Sequence, residues 1–134
     1  MTDDEIELAI RRLLDAYAHA CDSDDASAVA ALFSDDGELR YDDRTWTGDE
    51  IEAFYASRLD LPSLHFTTGL RWTRRDAADG ATLVDSTCGF LAVEYPDDRT
   101  SLAMGRYVDE IRIEAGAARF AARRLVPAGR RNVG

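Results

Sequence analysis

From Leu64 onward the chain changes character, and that change constrains its fold more than any other feature. Four long runs, LHFTTGLRWTRRD (64–76), ATLVDSTCGFLAVEY (81–95), SLAMGRYVDEIRIE (101–114) and ARFAARRLV (118–126), are rich in β-branched and aromatic residues. ADG (78–80), PDD (96–98) and AGA (115–117) separate them as turn signals. Long strands joined this way form an antiparallel sheet, and such a sheet must bury one face. The only cover available lies in the first sixty residues.

Those residues carry helical periodicity. Ile6, Ile10, Leu13, Leu14, Tyr17 and Cys21 recur at intervals of three and four, so residues 3–21 read as one amphipathic helix. Asp3, Asp4 and Glu5 sit where a helix N-terminus favours negative charge. SDD at 23–25 offers N-caps for a short second helix that carries Val29, Leu32 and Phe33 inward. DDG at 35–37 breaks it. ELRY (38–41) and RTWT (44–47) are short strands about a turn at Asp42-Asp43. Thr47 and Gly48 introduce a third helix, DEIEAFYASRL, with Ile51, Phe54, Tyr55 and Leu59 on its apolar side, and Pro62 closes the region. Helices first and hairpin-linked strands after predict an α+β domain, a strongly curved, mostly antiparallel sheet wrapped on N-terminal helices. Its conical interior is a natural small-molecule pocket. One domain spans 1–127; the polar AGRRNVG at 128–134 is expected to fray as a flexible tail.

Composition narrows the function. Sixteen basic residues against 26 acids leave a net charge of −10, which repels nucleic acid and anionic lipid, so neither is an expected partner. No apolar run approaches the ~18 residues a membrane span needs, no secretory segment opens the chain, and a cytoplasmic protein is expected. Every basic residue is arginine, so no lysine is present to form a Schiff base. Cys21 and Cys88 lack the spacing of a zinc site or disulfide framework and read as small buried apolar residues. The acid pairs Asp24-Asp25, Asp35-Asp36 and Asp42-Asp43 point apart and serve turns and caps; no metal and no cofactor are expected.

Several motifs in fixed order carry a resemblance. Tyr17 with Asp22-Ser23-Asp24-Asp25 is followed by LFSDDG (32–37), WTG (46–48), Leu64-His65-Phe66, GRYVDE (105–110) and RFAARRLVP (119–127). Together they resemble the SnoaL-like branch of the nuclear transport factor 2-like superfamily, over about residues 5–127. The resemblance implies a cone-shaped, cystatin-like α+β barrel with a deep pocket, and a homodimer formed through the outer face of the sheet. It does not fix function, because one fold hosts several chemistries. Among the relatives, the scytalone dehydratase and bile-acid dehydratase type have an acid where Asp22 stands, a tyrosine at Tyr41 and a histidine at His65. The bile-acid type also has a tyrosine matching Tyr17 and a pocket arginine matching Arg123. Cys21 replaces a tyrosine of the scytalone type, and Cys88 and Phe90 stand where a further polar group is usual.

The residues themselves weigh as follows. His65 is one of two histidines and begins a strand after a Pro-containing loop, a position that could aim it at a pocket. His19 lies off the apolar stripe and faces water. At 100° per residue an unbroken helix turns Asp22 away from the stripe, so it either ends the helix or, if the helix stops before it, orients His65 and fixes its tautomer. Tyr17 lies on the stripe, where a buried phenol needs a partner for its hydroxyl. Tyr41 ends a short strand and has the same two uses. Arg123 and Arg124 point to opposite faces, so at most one enters the cone; the family motif favours Arg123, which there would anchor a carboxylate, thioester or enolate oxygen. Tyr107, Cys88, Phe90 and Trp46 complete the candidate substrate-binding set.

These residues, with the resemblance, lead to a cofactor-independent acid–base enzyme. It is a dehydratase or double-bond isomerase on a small apolar hydroxy-carbonyl compound, steroid- or polyketide-like, with His65, Asp22, Tyr41 and Tyr17 as its catalytic set. Three readings stand beside it: a non-catalytic ligand-binding or dimerisation module, an isomerase or cyclase with a carboxylate base, and an epoxide hydrolase built on Arg40-Tyr41-Asp42.

Overall fold

The structure is a computed structural model, and residues 1–133 are described. Helix α1 spans Asp3–Asp22, and a capping box starts it: Thr2 Oγ1 accepts from the Glu5 amide, and the Glu5 carboxylate accepts from the Thr2 amide. Its stripe, Ile6, Ile10, Leu13, Leu14, Tyr17, Ala20 and Cys21, is buried. A left-handed Asp24 (φ 57°) then reverses the chain, and the Asp25 carboxylate accepts from the Ala28 amide to cap α2, Ala26–Ala30. Strand β1 is Phe33–Tyr41, β2 Arg44–Thr47, and helix α3 Asp49–Ala56. The four long strands follow as β3 (Ser63–Asp76), β4 (Thr82–Glu94), β5 (Thr100–Glu114) and β6 (Ala117–Val133).

The six strands form one curved, open sheet in the order β2-β1-β6-β5-β4-β3, with α1 packed against β3 and β6 and α3 against β2. The pairing of β1 with β6 is parallel and every other pairing antiparallel. The α+β expectation is met, with the sheet left unclosed.

Three local readings need correction. Phe33 belongs to a strand, not to the second helix. DDG does not end that helix but forms an irregularity within β1, where pairing to β6 shifts between Phe33 and Glu38. Gly37 permits it: a Cβ there would lie 2.8 Å from the Ser34 carbonyl oxygen and 2.9 Å from that of Phe120. The predicted frayed tail instead continues β6, pairing Arg130 with Ala103 and Val133 with Thr100; Gly134 lies outside the described residues. Edge pairing satisfies a polar backbone whatever its side chains, so polarity alone did not mark this segment's end.

Inside the curve the core joins the α1 stripe to Val29, Leu39, Ile51, Phe54, Tyr55, Val84, Ile111 and Phe120. Toward one end aromatic rings replace aliphatic groups, and there the packing opens.

Candidate active site

The C-terminal end of α1 meets the start of β3. Asp22 Oδ1 accepts from His65 Nδ1 at 2.6 Å and from Ser63 Oγ at 3.2 Å, while Oδ2 accepts from the His65 amide at 3.0 Å. Only 15% of the His65 side chain and 19% of the Asp22 side chain are exposed. A carboxylate oxygen can only accept, so Nδ1 donates this bond, and in the neutral imidazole the lone pair is then on Nε2. Helix α1 does not stop before Asp22; Asp22 is its last residue. The helical wheel was right that Asp22 leaves the stripe, but β3 begins alongside that flank and supplies the partners.

His65 lines an open cavity of about 690 Å³. Tyr17, Cys21, Phe54, Tyr55, Ser63, Ala92 and Tyr107 form its buried floor; Arg58, Leu61, Met104, Pro127 and Arg130 are exposed along its rim. Tyr41, Phe90 and Leu125 stand between. Phe90 stacks on Tyr107 with ring centroids 4.5 Å apart. Gly105 makes room for that stack, since a Cβ there would meet the Val126 carbonyl and come within 2.8 Å of the Phe90 ring.

Of the residues expected from sequence, Tyr17, Tyr41, His65, Tyr107 and Phe90 line this cavity, with Asp22 held behind His65. Cys88 faces a separate pocket of about 100 Å³ beside Arg11, Leu14 and the Thr67–Leu70 segment. Trp46 lies in an adjoining groove with Arg44. Arg123 enters the cone, as expected, but does not reach the cavity. Its side chain is 0% exposed, and Nε and Nη2 donate to the Asp109 carboxylate at 2.9 and 3.1 Å. The guanidinium lies against Tyr17, Tyr107 and Phe120 at 4.1, 3.6 and 4.3 Å from their ring centroids. The cross-strand register places Asp109 directly opposite Arg123, so an internal carboxylate occupies the anchor expected for a ligand. Asp42 is exposed in its turn, and Arg40 pairs with Glu38, so neither the carboxylate-base nor the Arg-x-Asp alternative is assembled from those residues.

Two site residues escaped the sequence reading. Tyr55 shares a 2.6 Å hydroxyl–hydroxyl hydrogen bond with Tyr17, and Ser63 supports Asp22. Each bond joins segments far apart in the chain, and no local pattern announces it. Tyr55 was visible only as an apolar-side residue of the third helix; a buried phenol's need for a partner was the available signal.

Burial sets the electrostatics of the floor. It pushes the Tyr17 phenol well above its usual range, with the neighbouring Tyr55 and Cys21 adding to the rise and Arg123 opposing it. Burial likewise raises Tyr55 and Tyr107, against Arg123 and, for Tyr55, the Tyr17 hydrogen bond. The Cys21 thiol is pushed up to about 12, again chiefly by burial. The unfolded chain ionises these groups first. Their contribution to stability is therefore complete below the ordinary thiol value of 9.0 and phenol value of 10.0 and is lost as pH climbs toward the folded values. The urea midpoint should be lower at about pH 10.5 than at about pH 8; a midpoint that holds or rises would remove this account.

The SnoaL-like domain family profile matches residues 4–124. The chain belongs to the SnoaL-like family. No curated protein matches the sequence. Solved structures share the fold at low identity. A "putative scytalone dehydratase" from Novosphingobium aromaticivorans is 20% identical, with a TM-score of 0.79 over 99% of this chain and 93% of that one. The hexachlorocyclohexane dehydrochlorinase LinA-type3 from Novosphingobium barchaimii is 17% identical, with a TM-score of 0.79 over 99% and 95%. The beta subunit of a "putative aromatic-ring-hydroxylating dioxygenase" from Novosphingobium aromaticivorans is 18% identical, with a TM-score of 0.75 over 90% and 88%. Among the described residues no helix is long and apolar enough to cross a membrane.

Proposed function

We propose that this SnoaL-like protein is a cofactor-independent acid–base lyase or isomerase acting on a small, largely apolar hydroxy-carbonyl compound. The observation that carries the reading is the 2.6 Å His65 Nδ1–Asp22 Oδ1 bond on the wall of a cavity that Tyr17, Tyr41 and Tyr55 also line. Likeness in fold to a "putative scytalone dehydratase" and a dehydrochlorinase supports the reaction class.

In the proposed reaction, Nε2 of His65 takes the proton from the carbon next to the carbonyl. Asp22 holds the ring and faces the imidazolium that forms. A cavity tyrosine donates a hydrogen bond to the enolate oxygen, which carries the electron pair released by the broken C–H bond. Tyr41 lines the cavity, and the Tyr17–Tyr55 pair can present one hydroxyl proton, because the other is spent within the pair. In a dehydration the enolate then expels the β-hydroxyl, protonated by the imidazolium, as water. In an isomerisation the same proton returns to a different carbon. General acid–base assistance of this kind is worth about 10²–10⁴-fold.

Deuterium exchange from solvent into a panel of β-hydroxy ketones and thioesters reads proton abstraction whether or not a group leaves. Exchange by the wild type, reduced at least ~10²-fold in His65→Ala, is the expected result. If His65→Ala exchanges as fast as wild type, His65 is not the base. Binding of these compounds with no exchange would favour a non-catalytic binding module.

A further inference from the structure

The charge on the cavity rim does not suit a wholly apolar ligand. Three residues that line the cavity carry full charges: Arg58, Glu94 and Arg130. Arg130 Nη1 donates to Glu94 Oε1 at 2.9 Å and to Ser101 Oγ at 3.3 Å, so that cation is already matched. Arg58 is different. Among the described residues no carboxylate lies within 4.0 Å of its guanidinium. The cavity thus keeps one uncompensated positive charge in a chain whose net charge is −10.

Arg58 is also held in place. Its amide donates to the Tyr55 carbonyl at 2.9 Å, closing the last turn of α3. Its guanidinium sits 4.2 Å from the Phe54 ring centroid and 5.7 Å from that of Tyr41, and both rings line the cavity. Lying over aromatic rings takes no hydrogen-bond acceptor, and among the described residues the Arg58 side chain donates no hydrogen bond, so its N–H fork, the edge that matches a carboxylate with two parallel hydrogen bonds, is unspent.

We propose that Arg58 is an anion subsite, and that the substrate carries a carboxylate which Arg58 binds at the rim while the apolar body fills the cavity toward His65. This names a substrate class within the acid–base reading above and rests on it for the reacting end alone. Arg44, over Trp46 at 5.3 Å, lines only the adjoining groove that Arg58 also borders, and not the cavity, so it serves as the nearby-cation control.

Titration calorimetry with 2-naphthoate and its neutral counterpart 2-naphthamide tests the subsite without any turnover. The wild type should bind the naphthoate about tenfold or more tightly than the amide, the scale expected of a charge-assisted hydrogen-bonded pair. Arg58→Gln should bring the two affinities within about twofold while leaving the amide unchanged, which shows that the cavity is intact. Arg44→Gln and His65→Ala should keep the preference. Equal affinities in the wild type, including no measurable binding of either probe at millimolar concentration, overturn the proposal. So does a preference that survives Arg58→Gln or disappears in Arg44→Gln. A protein without exchange activity but with this preference loses the catalytic reading and keeps the subsite.

Discussion

Asp109→Ala is expected to cost about 3–5 kcal/mol of folding stability, enough to threaten a domain whose total is commonly about 5–15 kcal/mol. The size follows from what is left behind. Arg123 is fully buried, its Nη1 already lacks a hydrogen-bond partner, and two of its three nitrogens rely on Asp109. Burial pushes the Asp109 carboxyl up, against the attraction of Arg123, and the charge of Asp109 and the neighbouring phenols keep Arg123 protonated against its own burial. Each charge is tolerated because of the other. Three aromatic faces attract the guanidinium but accept no proton donor edge-on, so they cannot replace the carboxylate. The double variant Asp109→Leu/Arg123→Met removes both charges and should recover most of the loss, since buried pairs are often no more stabilising than apolar replacements. Urea unfolding of the single and double variants decides it. A single variant within about 1 kcal/mol of wild type would mean that the pair is not dry.

The same pair shows where sequence reading runs out. Alternation along β6 separated Arg123 from Arg124 without saying which faces inward, and the family resemblance favoured Arg123; Tyr107, Asp109 and Arg123 are all buried. Whether Arg123 meets a ligand or a neighbour depends on strand register, which puts Asp109 opposite it and is a property of two segments together. The helix positions behaved alike. The stripe of α1 was legible from Ile6 to Cys21 because burial follows the wheel against a broad core. Asp22 broke the rule because its neighbour is the end of one strand, not the sheet's face. The α+β order was legible for a related reason: turn residues and period changes are local signals, whereas the extra length of β6 depends on an available edge of β5.

Asp22→Asn is expected to reduce catalysis by about as much as His65→Ala, within the ~10²–10⁴-fold range of acid–base assistance, and the double variant should be little worse than either alone. The asparagine could still accept a hydrogen bond from the imidazole Nδ1–H through its side-chain carbonyl oxygen. Its NH₂ group, however, could instead face Nδ1 and donate to it, which moves the imidazole proton to Nε2 and removes the lone pair that acts on substrate. The His65 amide, which donates to Oδ2, biases that choice: it can only donate, so it claims the asparagine oxygen and leaves the NH₂ at the Oδ1 position toward the ring, where the Ser63 hydroxyl can turn to accept from it. Asp22→Asn is therefore a change of tautomer more than of shape, and ligand affinity should stay within a few-fold of wild type. Shared loss is the diagnostic feature, because two residues acting as one base cannot be removed twice. Independent losses that multiply in the double variant would show that Asp22 acts elsewhere, and an unchanged rate in Asp22→Asn would show that His65 needs no orienting partner. Solvent-exchange rates for the three variants, alongside naphthoate affinity as the control for cavity integrity, distinguish these outcomes.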